Sequence, residues 1–480
     1  MTNFAAVGPY TRRRFRGWSG ELAMLQTSVS FPASGESAAR MPEGTVQRPL
    51  RVAVLVTLER GPGAGGHVKS WERIAEAAAA RPQAIELDLH FLGSRDAMVP
   101  MAPNVRFHTH RAALGTRSLM FLEQGAGHTD LAPFHRGVMR SLAGSDVVHA
   151  TDFFSFGKTA IAYARKAGCG LTASVQTDLP RFTRIYAGGI FGRMFGPVIG
   201  TWLFVKLCGL PERIARRQQR AIDRQLALCN RILLSKPEDR DRLSKSTPTV
   251  RLFRRGINRA HFNPVHRNRL RLRERFGIPP SRIVLLFVGR VDASKGAPLM
   301  AKAAKRLIKQ GLDIHVLAAG DGADRERIAA KLGDRASLPG ILPQDELAWI
   351  YASADVFVFP SRTEVSPNVV LEAKASGLPV VVADEHGGGQ FVAESGRDGL
   401  VVSALDAESW AGAIRPLVTD AARRREMGRA ARAWIEREWP NWAEVLDRDL
   451  LAAWHEAAEH GRYGNGRYRN VDRAHHRASS

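Results

Sequence analysis

From Leu50 onward the chain repeats one grammar, short β-branched runs separated by helical segments, and it starts that grammar twice. The first series is "LRVAVLV" (50–56), "IELDLHFLG" (85–93), "DVVHATD" (146–152), "LTASVQTD" (171–178) and "RILLSKP" (231–237). After a polar connection near 245–265 come "RIVLLFVGR" (282–290), "DIHVLAAG" (313–320), "DVFVFP" (355–360) and "PVVVADE" (379–385). Continuous apolar strands between helices make parallel sheets covered on both faces, so the pattern predicts an α/β chain with two doubly wound domains. Ligands of such sheets sit beyond the carboxyl ends of the strands, which directs attention to a cleft between the domains.

A length of 480 residues suits two domains, and an apolar fraction of 44% lets each bury a core. The formal net charge of +23 points to polyanionic company: nucleic acid, an anionic membrane face or phosphorylated substrates. Three cysteines, Cys169, Cys208 and Cys229, have no metal spacing and read as buried thiols in a reducing compartment. "TRRRFRGW" (11–18) loosely matches a twin-arginine export signal, but no apolar core follows it. Residues 1–48 are therefore expected to be a basic, poorly ordered extension, and 461–480 a basic disordered tail.

No run of 18 apolar residues occurs, so a spanning helix is not expected. Between Arg193 and Lys206 lie twelve uncharged residues, followed by the arginines of "PERIARRQQRAIDRQ" (211–225). Two readings stand side by side: a helix buried in the first domain, or a segment dipping into an anionic membrane surface. The neighbouring cations favour the second.

Two stretches carry candidate chemistry. In "SRTEVSPNVVLEAKASGLPVV" (361–381) a strand runs into a loop holding Glu364. Ser366 is an expected N-cap and Pro367 an expected first helical residue; the helix stops at Gly377, with Pro379 beyond it. Its free N–H groups and positive dipole end would favour an anion. Asn368 and Glu372 share one face, and Glu372 leans back towards the same crevice. A carboxylate accepts hydrogen bonds only, and the paired hydroxyls of a ribose are suitable donors. In "FVGRVDASKGAP" (287–298), Arg290 ends a strand and Lys295 opens the next helix, two cations placed to suit a diphosphate. On spacing alone, solvated charges remain an equal reading of the glutamates and a lesser one of the cations.

"RRGINRAHFNP" (254–264), "FVGRVDASKG", "AGDG" (319–322) and the opening Glu-x7-Glu stretch occur in that order. Together they resemble glycosyltransferase family 4, the retaining nucleotide-sugar enzymes of the GT-B fold. "GAGGHVKSWERIAEA" (63–77), "DVVHATDFFSFG" and "SVQTDLPRFTRIYA" are more loosely similar to the branch that glycosylates membrane lipids and glycans. The resemblance implies that Arg290 and Lys295 hold the donor diphosphate, that Glu372 binds ribose, and that Glu364 binds the donor sugar. It also implies backbone contacts from Ser366, Pro367, Asn368 and Val369, and a close approach of donor to backbone at Gly65 and Gly66. Where many members have His before Thr, this chain has Gln176, before Thr177 and Asp178. His67 and His149 are acceptor-side candidates to compensate, together with Gln176 and Asp178, although each histidine reads first as a structural one.

The "DRD" steps at Asp239–Asp241 and Asp447–Asp449 fall in helical patterns and read as solvated faces, so no metal and no other cofactor is expected. The resulting expectation is a GT-B chain whose two Rossmann-like domains, 49–245 on the acceptor side and 246–430 for the nucleotide-sugar, face a central cleft, followed by C-terminal helices at 431–460. The expected activity is retaining transfer of a sugar from a nucleotide-diphosphate donor to a lipid or lipid-linked glycan. A soluble acceptor and a non-catalytic, nucleic-acid-binding or scaffold protein are the alternatives. No recognised nucleic-acid motif occurs, so no nucleic-acid partner is expected. The expected location is cytoplasmic, peripheral at the inner face of an anionic membrane.

Overall fold

The computed structural model describes residues 48–61, 64–115, 129–175, 209–235, 250–362, 364 and 366–463. Gln176, Asp178, the uncharged run at 194–205, the Asp239–Asp241 step and the extensions at 1–47 and 464–480 lie outside the described residues.

The first sheet contains β1 (Leu50–Glu59), β2 (Ile85–Gly93), β3 (Ala97–Ala102), β4 (Val105–Arg111), β5 (Val147–Ala150), β6 (Gly170–Val175), β7 (Arg231–Leu234) and β8 (Val250–Leu252). Their order across the sheet is β3-β4-β2-β1-β5-β6-β7-β8, all parallel except the β3–β4 pair. The second sheet, wholly parallel, contains β9 (Ile283–Val288), β10 (Ile314–Ala319), β11 (Ala336–Gly340), β12 (Val356–Phe359), β13 (Val380–Ala383) and β14 (Leu400–Val402) in the order β11-β10-β9-β12-β13-β14. Each sheet reverses its direction of winding once, at β1/β5 and at β9/β12. Those are the points at which loops diverge and leave a crevice.

The helices that matter for the site are α1 (Gly66–Ala79), α2 (Leu210–Leu226), α3 (Ala297–Lys309), α4 (Gln344–Ser353), α5 (Asn368–Ala375) and α6 (Ala452–Tyr463). The C-terminal segment crosses back onto the first sheet. Val445, Leu446, Leu450, Trp454 and Ala457 join Val54, Phe91 and Trp71 in one buried cluster. Close backbone approach permits this packing: a Cβ on Gly170 would lie 2.7 Å from the Ala457 carbonyl. Asp449 is therefore not on a solvated face. It is buried and accepts from the Arg254 amide at 3.1 Å, which ties the C-terminal helical segment to the chain just after β8. Asp447, by contrast, is partly exposed and pairs with Arg81 at 3.1 Å.

Buried imidazoles mark the first domain. His149 is fully buried between Trp71 and Trp454, and its ring nitrogens meet Thr172 Oγ1 at 2.8 Å and Ser174 Oγ at 3.1 Å. Burial first, and then the charge of His67, push its pKa down to about 3. The unfolded chain takes up this proton near pH 6.5 and the folded chain does not, so the residue costs stability as pH falls below that value. His149→Gln keeps hydrogen-bonding capacity without titrating, and it should reduce the stability lost between pH 7.5 and pH 5 by about 2 kcal/mol. Urea midpoints at the two pH values measure this, and parallel losses in variant and wild type would rule it out.

Candidate active site

The crevice of the second sheet is built at its switch point. β9 delivers Arg290, and β12 delivers Ser361 and Glu364. After Arg290, Asp292 accepts from the Lys295 amide at 3.1 Å and from Ser294 Oγ at 2.6 Å, closing a 3-10 turn over Ala293–Lys295. Arg290 Nη2 donates to Ser294 Oγ at 3.1 Å. Lys295 therefore sits on a short turn ahead of α3, not on α3 itself. Gly296 is required there: it has φ of 75°, and a Cβ would lie 2.7–2.8 Å from Pro360. This contact brings the β9 loop against the β12 loop.

The contact has a direct electrostatic result. Lys295 Nζ donates to Glu364 Oε1, and Ser361 Oγ donates to the same oxygen at 2.8 Å. The side chains are 21% and 16% exposed, so the pair sits at the edge of the crevice, open to ligand on one side. The residues expected to hold the diphosphate and the sugar are thus neighbours.

Helix α5 differs from expectation at its start. Pro367 occupies the N-cap position with ψ of 104°, Asn368 is the first helical residue, and no side chain caps the end. Ser366 is not the cap, because the extended proline moves the helix start one residue on. The first-turn amides of Asn368 and Val369 consequently have no side-chain acceptor, which suits an anion. Glu372 is only 8% exposed. Burial raises its pKa to about 7, while the Tyr351 phenol on α4 and the Arg73 charge on α1 act in the opposite direction. It borders a cavity of about 30 Å³ shared with Lys69, Arg73, His261 and Asn368.

The first domain meets this site through the turn before α1. Gly65 and Gly66 are exposed, and Gly65 is the side-chain-free N-cap of α1. A Cβ on Gly65 would meet nothing within 4 Å, and one on Gly66 would lie 3.7 Å from Asn368 Nδ2. The fold itself therefore tolerates side chains at both positions. His67 is half-buried, with Nε2 3.0 Å from Thr151 Oγ1 at the end of β5. His149, deep in the sheet, is a core residue and does not line the cleft.

Sequence reasoning missed Asp292, Ser361, Tyr351, Ser70 and Arg255. Asp292 was legible as a capping residue three positions before Lys295. The others are brought in by tertiary packing. Away from the crevice, Arg213, Arg216, Arg217, Arg220 and Arg224 are exposed on α2, within about 100° of arc at 100° per residue. No carboxylate among the described residues pairs with them. No helix of the described residues is long and apolar enough to cross a membrane.

Comparison with known proteins agrees with this architecture. Residues 268–434 match the family described as glycosyl transferases group 1. The chain is 29% identical over 359 residues to D-inositol 3-phosphate glycosyltransferase 1 of Catenulispora acidiphila, covering 71% of this chain and 79% of that protein. It is 28% identical to the sulfoquinovosyl transferase SQD2 of Arabidopsis thaliana, covering 61% of this chain and 54% of that one. Sucrose-phosphate synthase from Thermosynechococcus elongatus superposes with a TM-score of 0.60 at 20% identity, over 84% of this chain and 100% of that chain. The chain therefore has the GT-B fold, with residues 268–434 similar to the glycosyl transferases group 1 family.

Proposed function

We propose that the chain is a retaining glycosyltransferase that moves a sugar from a nucleotide-diphosphate donor to an acceptor hydroxyl without a metal ion. The observation that carries this reading is the convergence of Arg290, Lys295, Glu364 and the uncapped start of α5 at one switch point. As the sugar–oxygen bond breaks, negative charge builds on the departing diphosphate. Arg290, Lys295 and the α5 amides meet that charge in place of a cation. The acceptor oxygen bonds to the anomeric carbon from the face the diphosphate leaves, and its proton passes to the leaving phosphate. Glu364 holds sugar hydroxyls and Glu372 the ribose. Gly65 and Gly66 admit the donor to the backbone, since nothing in the fold requires glycine there.

For the acceptor, the five-arginine face of α2 supports a lipid or lipid-linked glycan at an anionic, cytoplasmic membrane face. A soluble phosphorylated polyol is the second reading, favoured by the first relative's name. A screen of UDP- and GDP-sugars tests both, with lipid extract in one arm, D-inositol 3-phosphate in the other, and products read by mass spectrometry. Product in the lipid arm, together with sedimentation on anionic but not neutral vesicles, is the expected result. Product confined to the polyol arm establishes the second reading, and no product from any donor overturns the activity.

A further inference from the structure

We infer that Arg255 is a positioning residue, which fixes the Gly65–Gly66 turn of the first domain against the start of α5 in the second. Among the described residues its side chain hydrogen-bonds to Gly66 and Ser70. Its effect runs through Ser70 and the α1 backbone.

The backbone of Arg255 is held from both sides. Phe253, two residues before it, is buried in the first domain's core with Trp71. The Arg255 carbonyl accepts from Trp439 Nε1 at 2.6 Å, and the Ile257 amide donates to the Pro440 carbonyl at 3.1 Å. Between them, a Cβ on Gly256 would lie 2.8 Å from the Trp442 backbone. The two strands of chain that cross between the domains thus run pressed together, and Arg255 projects from a rigid point.

Its side chain is 7% exposed. Nη1 donates to the Gly66 carbonyl at 2.9 Å and to Ser70 Oγ. Ser70 Oγ in turn donates to the Gly66 carbonyl at 2.7 Å, and Asn368 Nδ2 reaches it at 3.5 Å. One hydroxyl therefore links three segments: the α1 turn, the interdomain crossing and the first residue of α5. Burial lowers the Arg255 pKa to about 10, opposed by the charge of Glu364, so it carries its charge at neutral pH. A buried cation held this near the crevice costs desolvation, and that cost is met by its fixed acceptors. Losing it releases the glycine turn without removing any donor contact from the second domain.

This inference rests on the proposed transfer reaction, and its test separates the two. In Arg255→Met, kcat should fall at least about 10-fold while UDP and GDP affinities change less than about 3-fold, since their expected partners Arg290, Lys295 and Glu372 are untouched. Arg255→Lys should recover most of kcat, and Ser70→Ala should show a smaller loss of the same pattern. Ser70→Ala carries the test alone if Arg255→Met does not fold. Independently of turnover, hydrogen exchange over residues 64–72 and 366–372 should quicken in both variants. Unchanged exchange there overturns the inference even if the wild type transfers no sugar. In an active enzyme, unchanged kcat, or kcat and nucleotide affinity falling in the same proportion, overturns it as well.

Discussion

Lys295→Ala will lower kcat by about 10²–10³-fold, the range for removing one preorganised donor from developing negative charge. Two effects add in this variant. The leaving diphosphate loses a cation, and Glu364, no longer paired with it, brings an uncompensated carboxylate to the same crevice. The cost to folding is smaller, about 1–3 kcal/mol, because the pair lies between the exposed and fully buried limits. Steady-state kinetics at saturating donor, beside a thermal melt, separate the two costs. Turnover near that of wild type would remove Lys295 from the chemistry. Lys295→Arg should recover part of the rate, since charge returns on a planar, longer group that does not reproduce the point charge of the ammonium.

Nucleotide binding will release a proton near neutral pH, and Glu372 will be its source. In the free protein its pKa is raised to about 7, with burial as the main cause. Two ribose hydroxyls donating to the carboxylate favour the charged form and pull the pKa down, so the proton leaves on binding. Affinity should accordingly rise with pH up to and past about 7. The same raised pKa acts on stability with its own sign. Between pH 4.5 and about 7 the folded state retains a proton that the unfolded chain has lost, so this residue costs stability as pH rises through that window. Calorimetric titration in buffers of different ionisation enthalpy measures the proton directly. Glu372→Gln should abolish the release and weaken nucleotide binding about 10–100-fold above pH 7, with little change below pH 5. Release that persists in the variant would assign the proton to another group.

The strands that could be read from sequence were the interior ones. β1, β2, β5, β6, β7, β9, β10, β12 and β13 all overlap apolar runs, because each is covered on both faces and by a strand on either side. The four edge strands, β3, β8, β11 and β14, were not recognised. An edge strand has one neighbour and needs no continuous apolar run: β3 exposes Met98 and Val99 and contains Pro100, and β14 is three residues long. β4 was missed for a related reason, since its alternating "VRFHTHR" places the half-buried His108 and the buried His110 beside the buried His90.

Within the site, the sequence by itself determined which groups come to which strand ends. Arg290, Lys295, Glu364 and Glu372 are placed by strand, loop and helix lengths, all of which are local properties. Burial and pairing were decided only in three dimensions. Local spacing left Glu372 open as a solvated residue, but α4 and α1 close over it and shift its acidity. It left Lys295 and Glu364 as separate contacts, but the close packing of Gly296 on Pro360 makes them a pair. His149 stood as a candidate within the "DVVHATD" run, and Trp71 and Trp454 enclose it. Chain periodicity records which face of an element is apolar, whereas the neighbour that covers that face is chosen by contacts between residues far apart in sequence, which no local pattern encodes.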